Sequence, residues 1–287
     1  MKKYLLLMRP LDWVKNIFIF AALIFGRKID DPISIGKALA GFICFSLASS
    51  AIYIFNDIMD YQTDKLHPEK SVRPIVSGKI SITNAAILSI ICVVVSVVGS
   101  FVLTEYFTII IMSYIALMIF YSLFFKRMMI LDCIIISIGF CLRAIAGAVI
   151  INVFISPWLI ICTFSLCLFM AFCKRSSEIA ALQENGELFR ATLGSYTPEL
   201  LSHMINVSSG IAVMCFLLYA MDRRTINNFG SDHLAYTTPL VLYCIFRFSA
   251  LVQNGKSSDL TQIIRKDISL QIGFLLWILA CIIIIYI

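Results

Sequence analysis

Charged residues are scarce in this sequence. Asp, Glu, Lys and Arg make up 14% of its 287 positions, whereas a soluble globular chain has about 25%. Hydrophobic residues account for 60%, and the mean hydropathy is +0.94. The polar side chains are too few to cover a surface in water, which excludes a soluble globular protein and makes the lipid bilayer the expected solvent. We expect no nucleic-acid partner.

Three other features are missing. The ten cysteines form no Cys-x-x-Cys pair, and most lie inside apolar runs, where we interpret them as small reduced hydrophobic residues. Arg9 and Pro10 interrupt the apolar run after Lys2 and Lys3, so this segment is too short for a cleavable signal peptide. No polar domain or low-complexity linker divides the chain, and we expect a single domain of residues 1–287.

Long apolar runs are what the sequence has instead. They predict an all-α, polytopic membrane protein with nine transmembrane helices, each about 20 residues long. The predicted spans lie near residues 13–27, 36–56, 84–103, 106–125, 130–152, 156–173, 200–221, 235–253 and 268–287.

Positive charge predicts how these helices are oriented. If the N-terminus lies inside, sixteen of the 23 lysines and arginines fall in inner segments and five in outer ones, while Arg143 and Arg247 lie within spans. Such an excess is typical of the cytoplasmic side of a membrane protein. We therefore expect a multi-pass protein of the inner (plasma) membrane, with its N-terminus and its active site on the cytoplasmic side.

The second predicted span ends in an acidic motif. Asn56, Asp57, Asp60 and Asp64 follow one another at spacings that place the three carboxylates on one helical face. Three like charges there repel one another, which a cation would offset. Carboxylate and amide oxygens suit Mg²⁺, which commonly shares its coordination sphere with substrate phosphates. The motif predicts a Mg²⁺–diphosphate site, and a solvated helix end is the alternative.

A basic segment, Arg-Pro-Ile-Val-Ser-Gly at residues 73–78, follows the acidic motif. A guanidinium can bind two phosphate oxygens at once, so Arg73 is a candidate phosphate contact. Together the patterns NDxxDxxxD and RPxxSG resemble the first signature of the UbiA-type intramembrane transferases. The resemblance implies a UbiA-like bundle of nine helices with a polar cavity facing the cytoplasm, and an enzyme that handles diphosphate-bearing substrates with Mg²⁺ as cofactor.

Other segments resemble one branch of that family. Prenyltransferases carry a second aspartate cluster, DxxxD, after the sixth span, whereas this chain has no aspartate there and instead carries Glu178, Glu184, Glu187 and Glu199. Three segments, at residues 9–16, 121–147 and 156–178, are similar in order and spacing to the polyprenyl-phosphate phosphoribosyltransferases. That branch implies transfer of 5-phosphoribosyl from phosphoribosyl diphosphate (PRPP) to a polyprenyl phosphate lipid, with release of diphosphate, for cell-envelope glycan precursors.

The resemblance also implies roles for individual residues. Asp57, Asp60 and Asp64 would be catalytic and, with Asn56, would hold the metal. The candidate substrate-binding residues are Lys15, Asn16, Arg73, Tyr121, Lys126, Asp132, Arg143, Lys174, Arg175 and Glu178. Which basic residue binds which phosphate stays open, as do the length of the isoprenoid chain and a homo-oligomeric state.

Two ionisable residues of the fifth predicted span have alternatives of their own. Arg143 lies near the predicted centre of the bilayer, where a charge costs at least about 2.5–3.5 kcal/mol. It therefore either lines the polar cavity or caps a neighbouring helix. Asp132 would bind ribose hydroxyls or orient Lys126.

Two other functions compete with phosphoribosyl transfer. A UbiA-type prenyltransferase would move a polyprenyl group from its diphosphate to an aromatic or other acceptor, and the missing aspartate cluster argues against it. A carrier or channel would show polar half-helices or repeats at mid-membrane, whereas the polar residues of this sequence cluster at one predicted face.

Overall fold

The computed structural model describes residues 2–65, 71–185, 196–253 and 267–286, and every regular element in those ranges is helical. The 3-10 helices span Pro10–Phe20, Phe125–Arg127 and His233–Thr237. The α-helices are α1 (Lys2–Met8), α2 (Ala21–Phe25), α3 (Pro32–Met59), α4 (Tyr61–Asp64), α5 (Ile82–Leu103), α6 (Glu105–Leu123), α7 (Leu131–Ile151), α8 (Pro157–Asn185), α9 (Pro198–Ala220), α10 (Arg223–Phe229), α11 (Thr238–Gln253) and α12 (Ile268–Tyr286).

Eight helices in the described ranges are long and apolar enough to cross a membrane. Seven of them are α3, α5, α6, α7, α8, α9 and α12. The eighth is α11 together with the 3-10 helix His233–Thr237, which directly precedes α11. They coincide with eight of the nine predicted spans, and many of their large apolar side chains are exposed, as lipid-facing side chains are. The prediction of an all-α, multi-pass membrane protein is confirmed.

The remaining predicted span, near residues 13–27, is not one long α-helix. It consists of the 3-10 helix Pro10–Phe20, of 11 residues, and the five-residue α2. A 3-10 helix rises about 2.0 Å per residue and an α-helix about 1.5 Å, so the two together extend roughly 30 Å, close to the thickness of the hydrocarbon core. Nine spans therefore stay a prediction.

The 3-10 geometry matches this segment to α3. Three residues of a 3-10 helix and four of an α-helix both rise about 6.0 Å, so side chains three apart on one helix meet side chains four apart on the other. Trp13 Nε1 donates to Ser50 Oγ at 2.9 Å, and Asn16 Nδ2 donates to Ser46 Oγ at 3.0 Å. The opposite row of the 3-10 helix is apolar and exposed, and consists of Leu11, Val14 and Ile17.

Small residues let α3 approach its neighbours closely. A Cβ added at Gly41 would lie 2.3 Å from Ile150 Cδ1, and one added at Gly99 of α5 would lie 2.9 Å from Cys44 Sγ. Ser96 Oγ also donates to the Cys44 carbonyl at 2.7 Å. Packing against small residues is a usual way in which helices associate in a membrane.

The chain folds into two compact units. The first comprises residues 1–126 and 142–154, and the second comprises residues 127–141 and 155–287, so that α7 contributes to both. The second unit has its own buried apolar core from α8, α9, α11 and α12, in which the rings of Phe169 and Phe248 lie 5.8 Å apart. One domain over residues 1–287 stays a prediction.

Candidate functional site

The acidic motif lies where α3 ends, in the first unit. Asp60 forms the junction between α3 and α4, and its N–H donates to the Asn56 carbonyl at 2.8 Å while its own carbonyl accepts from Asp64 N at 2.8 Å. The helical hydrogen bonds thus continue through the junction. Asp57 and Asp64 are buried, at 1% and 3% exposure, whereas the Asp60 side chain is 37% exposed.

One arginine joins the two buried carboxylates. Arg73 Nη1 donates to Asp57 Oδ1 at 2.9 Å and to Asp64 Oδ2 at 2.5 Å. Arg9 Nη2 donates to the same oxygen of Asp57. The two carboxylate oxygens therefore converge on a position that a cationic nitrogen occupies.

The other two candidate metal ligands have separate partners. Lys126 Nζ donates to Asp60 Oδ1 at 2.5 Å, and Ser122 Oγ, from the last turn of α6, donates to Asn56 Oδ1. Among the residues that the structure describes, no three histidine, cysteine, aspartate or glutamate side chains converge closely enough to hold a metal ion. Of the four predicted ligands, Asp57 and Asp64 thus meet at one nitrogen of Arg73, while Asp60 and Asn56 are each bonded to a different side chain.

A compact turn fixes the backbone of Arg73. The Arg73 carbonyl accepts hydrogen bonds from Ser77 N and Ser77 Oγ, both at 2.8 Å. Gly78 closes the turn with φ 71°, and its N–H donates to the Ile75 carbonyl at 3.1 Å. The RPxxSG pattern is therefore a turn that presents Arg73 to the carboxylates. The turn is anchored in a buried apolar cluster of Leu7, Ile54, Ile75, Ile80 and Ala85.

Gly78→Ala is expected to destabilise the protein by about 1–2 kcal/mol, the cost of holding an L-residue in the left-handed region. A Cβ at this position meets nothing within 4 Å, so the backbone alone carries the cost. Gly210→Ala is the matched control, because Gly210 lies inside α9 and its Cβ also meets open space. Thermal unfolding of the solubilised protein should separate the variants, and equal melting temperatures would contradict the role of the turn.

Lys15 and Asn16 lie on different rows of the first 3-10 helix. Lys15 Nζ pairs with Asp12 Oδ1 at 2.6 Å and lies 5.7 Å from the ring centroid of Tyr53. Asn16 is fully buried, and its Oδ1 accepts from Arg143 Nε at 2.7 Å. Lys15 therefore stays half-exposed, while Asn16 links the 3-10 helix to α7.

Arg143 lies in a buried polar cluster of the first unit and is 5% exposed. Its Nη2 donates to Tyr114 OH at 2.8 Å, and its guanidinium lies over the rings of Tyr114 and Phe45, at 4.7 and 5.2 Å. With Asn16, these contacts join α7 to α3, α6 and the 3-10 helix. Helix capping and a role in lining a cavity both stay predictions for Arg143.

Four side chains form a second cluster, inside the second unit. Arg175 Nε lies 3.0 Å from Asp132 Oδ2, and Arg175 Nη1 donates to Glu178. Tyr196 OH donates to Asp132 Oδ1 at 3.0 Å. Asp132 and Arg175 are 0% and 1% exposed, so this is a buried ion pair that joins α7 to α8. The predicted contacts of these residues with substrate, and of Asp132 with Lys126, stay predictions.

Tyr196 is a residue of this cluster that sequence reasoning missed. Its hydroxyl also accepts from Ile130 N at 2.7 Å, where Ile130 has φ 69°, a rare conformation for a β-branched residue. Burial raises the pKa of Tyr196, so the hydroxyl stays protonated and can donate to Asp132. A single tyrosine in a polar loop gave no signal from which its partners could be predicted.

Arg9 was missed as a site residue as well. It lies in the left-handed region with φ 52° and ψ 60°, directly before Pro10, and this turn directs its side chain to Asp57. Arg9 is the first residue of segment 9–16, one of the three segments that are similar to the polyprenyl-phosphate phosphoribosyltransferases, so the signal was present in the sequence. Of the other predicted contacts, Lys174 is exposed and Tyr121 is buried. Glu187 and the side chain of Glu184 lie outside the described residues.

A groove of about 430 Å³ lies at the other end of α5 and α6. It occupies the first turns of α6, whereas the acidic motif contacts the last turn, so roughly 20 Å separates the two along the helix. The groove is therefore not the predicted polar cavity, which stays a prediction. It is lined by Phe101, Glu105, Thr108, Ile109, Met112 and Ser113.

The eight apolar helices and the paired acidic and basic side chains at the end of α3 define a multi-pass membrane protein with a charged site, as an intramembrane transferase requires. The chain belongs to the UbiA prenyltransferase family, whose sequence model matches residues 16–279. The predictions of the family and of a membrane-bound transferase are confirmed.

Individual relatives cover nearly the whole chain. It is 33% identical to the decaprenyl-phosphate phosphoribosyltransferase of Mycolicibacterium smegmatis, over 94% of this chain and 88% of that protein. It is 30% identical to the protein of the same name from Corynebacterium glutamicum, over 98% of this chain and 86% of that protein. Its fold is similar to that of a UbiA homolog from Archaeoglobus fulgidus bound to GPP and Mg²⁺, with TM-score 0.74 and 20% identity over 99% of this chain and 100% of that one.

Proposed function

We propose that this enzyme transfers the 5-phosphoribosyl group of PRPP to a polyprenyl phosphate and releases diphosphate. The observation that carries the proposal is the convergence of two buried carboxylates, Asp57 and Asp64, on Arg73, with Arg9 on Asp57 and Lys126 on the neighbouring Asp60. A donor with a diphosphate leaving group requires such a combination of acidic and basic groups. The names of the two relatives that are 33% and 30% identical support the choice of donor and acceptor.

The carboxylates fit a magnesium ion. Their oxygens converge on one nitrogen of Arg73, so a cation is required at the point where they meet. Carboxylate oxygens are also the ligands that Mg²⁺ prefers. Asp57 and Asp64 would hold the ion, with Asn56 and Asp60 as further candidates. Bound Mg²⁺ would neutralise charge on the leaving diphosphate.

The basic side chains of the enzyme bind and orient the donor. Arg9, Arg73 and Lys126 bind diphosphate oxygens through charge-assisted hydrogen bonds, which hold the ribose in position for attack. The bond from the anomeric carbon to the diphosphate breaks, and a phosphate oxygen of the lipid forms the new bond from the opposite face. That oxygen is already anionic at neutral pH, so the transfer requires no general base.

We further propose that the site faces the cytoplasm from the plasma membrane. Lys3 Nζ donates to the Lys79 carbonyl at 2.9 Å, close to the turn that carries Arg73, so lysines gather at the same end of the helices as the acidic motif. This arrangement agrees with the excess of basic residues in the inner segments. The product would then serve as a precursor of cell-envelope glycans.

A donor-choice assay tests the proposed function. The purified full-length protein receives either PRPP with polyprenyl phosphate or polyprenyl diphosphate with an aromatic acceptor, and released diphosphate is measured. We expect release with PRPP only when polyprenyl phosphate is present, and none with the second pair. The reverse pattern would replace the proposal with a prenyltransferase, and solute flux into liposomes with neither product would replace it with a carrier.

A further inference from the structure

Arg73 occupies the point at which the two buried carboxylates meet. The side chains of Asp57 and Asp64 are 2% and 4% exposed, and both contact Nη1 of Arg73, whose side chain is 26% exposed. Two carboxylates this well buried require a cation between them. Arg73 provides that cation.

A metal ion held by Asp57 and Asp64 would compete with Arg73 for this point. Cations a few ångströms apart repel strongly at a partly buried site. Placing the guanidinium and a divalent ion on the same two oxygens therefore costs free energy. Once a diphosphate arrives, however, the guanidinium has other acceptors, because phosphate oxygens bind it at least as well as carboxylates do.

We propose that Arg73 is the cation of the two carboxylates until a metal ion binds them, and that it moves to the diphosphate oxygens of the donor when metal and donor bind. This inference rests on the proposed function, because it takes the diphosphate as the second partner of Arg73. It assigns Arg73 two successive roles, first as a stabilising cation for the carboxylates and then as a contact of the donor.

Only the side chain of Arg73 has to move for this exchange. Its carbonyl is fixed by Ser77, and the adjoining Ile75 is 2% exposed in the apolar cluster that anchors the turn. The backbone turn therefore acts as a fixed base from which the guanidinium reaches either set of partners.

The exchange predicts effects of opposite sign when Arg73 is removed. Arg73→Met should bind a divalent ion more tightly in the absence of donor, because the competing cation is gone, and should bind PRPP more weakly. The metal-free variant should also melt at a lower temperature than the wild type, and saturating Mg²⁺ should close that gap. An arginine that contacts only phosphate would leave the affinity for metal unchanged, and one with a purely structural role would leave the affinity for PRPP unchanged.

The test is binding of Mn²⁺ alone to the solubilised full-length protein, followed by electron paramagnetic resonance. Arg73→Met is expected to bind Mn²⁺ at least about tenfold more tightly than the wild type. A charge within about 4–6 Å of an ionisable group changes its ionisation equilibrium by about tenfold or more, and we take the lower end of that range. Lys65→Met is the matched control, since Lys65 is exposed, follows Asp64 and lies over the Tyr61 ring. It should change the affinity much less.

Unchanged or weaker Mn²⁺ binding by Arg73→Met would overturn the inference, as would an equal gain in Lys65→Met. If Arg73→Met is not recovered folded, Arg73→Lys replaces it: the ammonium is more strongly hydrated than the guanidinium and competes less well for the two carboxylates, so tightening of a few fold is expected. No tightening in that variant would overturn the inference equally. Because no donor is present, a failure of the transfer assay combined with tighter Mn²⁺ binding would remove the proposed function and leave the competition at the carboxylates established.

Discussion

Asp57→Asn is expected to lower the rate of diphosphate release at least about a hundredfold, the size of effect seen when one electrostatic contact to a charged transition state is lost. Asp57 is 1% exposed, and a single oxygen accepts hydrogen bonds from Arg9 and Arg73. Asparagine keeps the shape of the side chain and removes its charge. Both arginines then lose their anionic partner, and the proposed metal site loses a ligand. Initial rates with PRPP and polyprenyl phosphate measure the effect.

Asp31→Asn is the matched control for this substitution. Asp31 lies at the opposite end of the same helix, where its Oδ1 caps α3 by accepting from Ile33 N at 3.1 Å. Asparagine is about as good an N-cap as aspartate, so this variant should retain the wild-type rate. A near-normal rate in Asp57→Asn, or equal losses in the two variants, would remove the acidic motif from the chemistry.

Arg175→Met is expected to destabilise the protein by about 3–5 kcal/mol, because removing one partner of a buried ion pair leaves an uncompensated charge. The charge left behind is that of Asp132, which is 0% exposed and whose remaining side-chain partner among the described residues is the hydroxyl of Tyr196. The melting temperature of the solubilised protein, measured without ligands, reports the loss.

A second substitution separates lost charge compensation from lost packing. Asp132→Asn added to Arg175→Met removes the stranded charge, so the double variant should be more stable than Arg175→Met alone. Arg247→Met serves as the control. Arg247 pairs with Asp267 at 2.7 Å, but its side chain is 39% exposed, so this pair should contribute little to stability. A double variant that is less stable than Arg175→Met would show that packing, and not charge, dominates at this position.

The membrane helices could be predicted because they depend on local composition. The predicted span 84–103 became α5, Ile82–Leu103, and the other long α-helices agree similarly. Residues 13–27 differ because composition does not distinguish a 3-10 helix from an α-helix. The choice between them depends on the spacing at which Trp13 and Asn16 meet serines of α3.

The candidate site could be predicted as a set of residues but not as a set of pairs. The acidic motif and Arg73 were identified from the sequence, yet the partner of Asp60 is Lys126, 66 residues away, and a partner of Asp57 is Arg9, 48 residues away. Several cations at one end of a bundle are equivalent in the sequence, and only tertiary packing decides which of them reaches which carboxylate. Tyr196 was missed for the same reason, since Ile130 and Asp132, to which its hydroxyl is bonded, lie more than 60 residues away.

The most direct test of the proposed transfer is the mass of the lipid that the purified protein makes from PRPP and polyprenyl phosphate. We predict a lipid heavier by one phosphoribosyl unit, formed in the same amount as the diphosphate released, and absent with Asp57→Asn. A polyprenyl phosphate of unchanged mass after prolonged incubation of folded protein with both substrates and Mg²⁺ would contradict phosphoribosyl transfer.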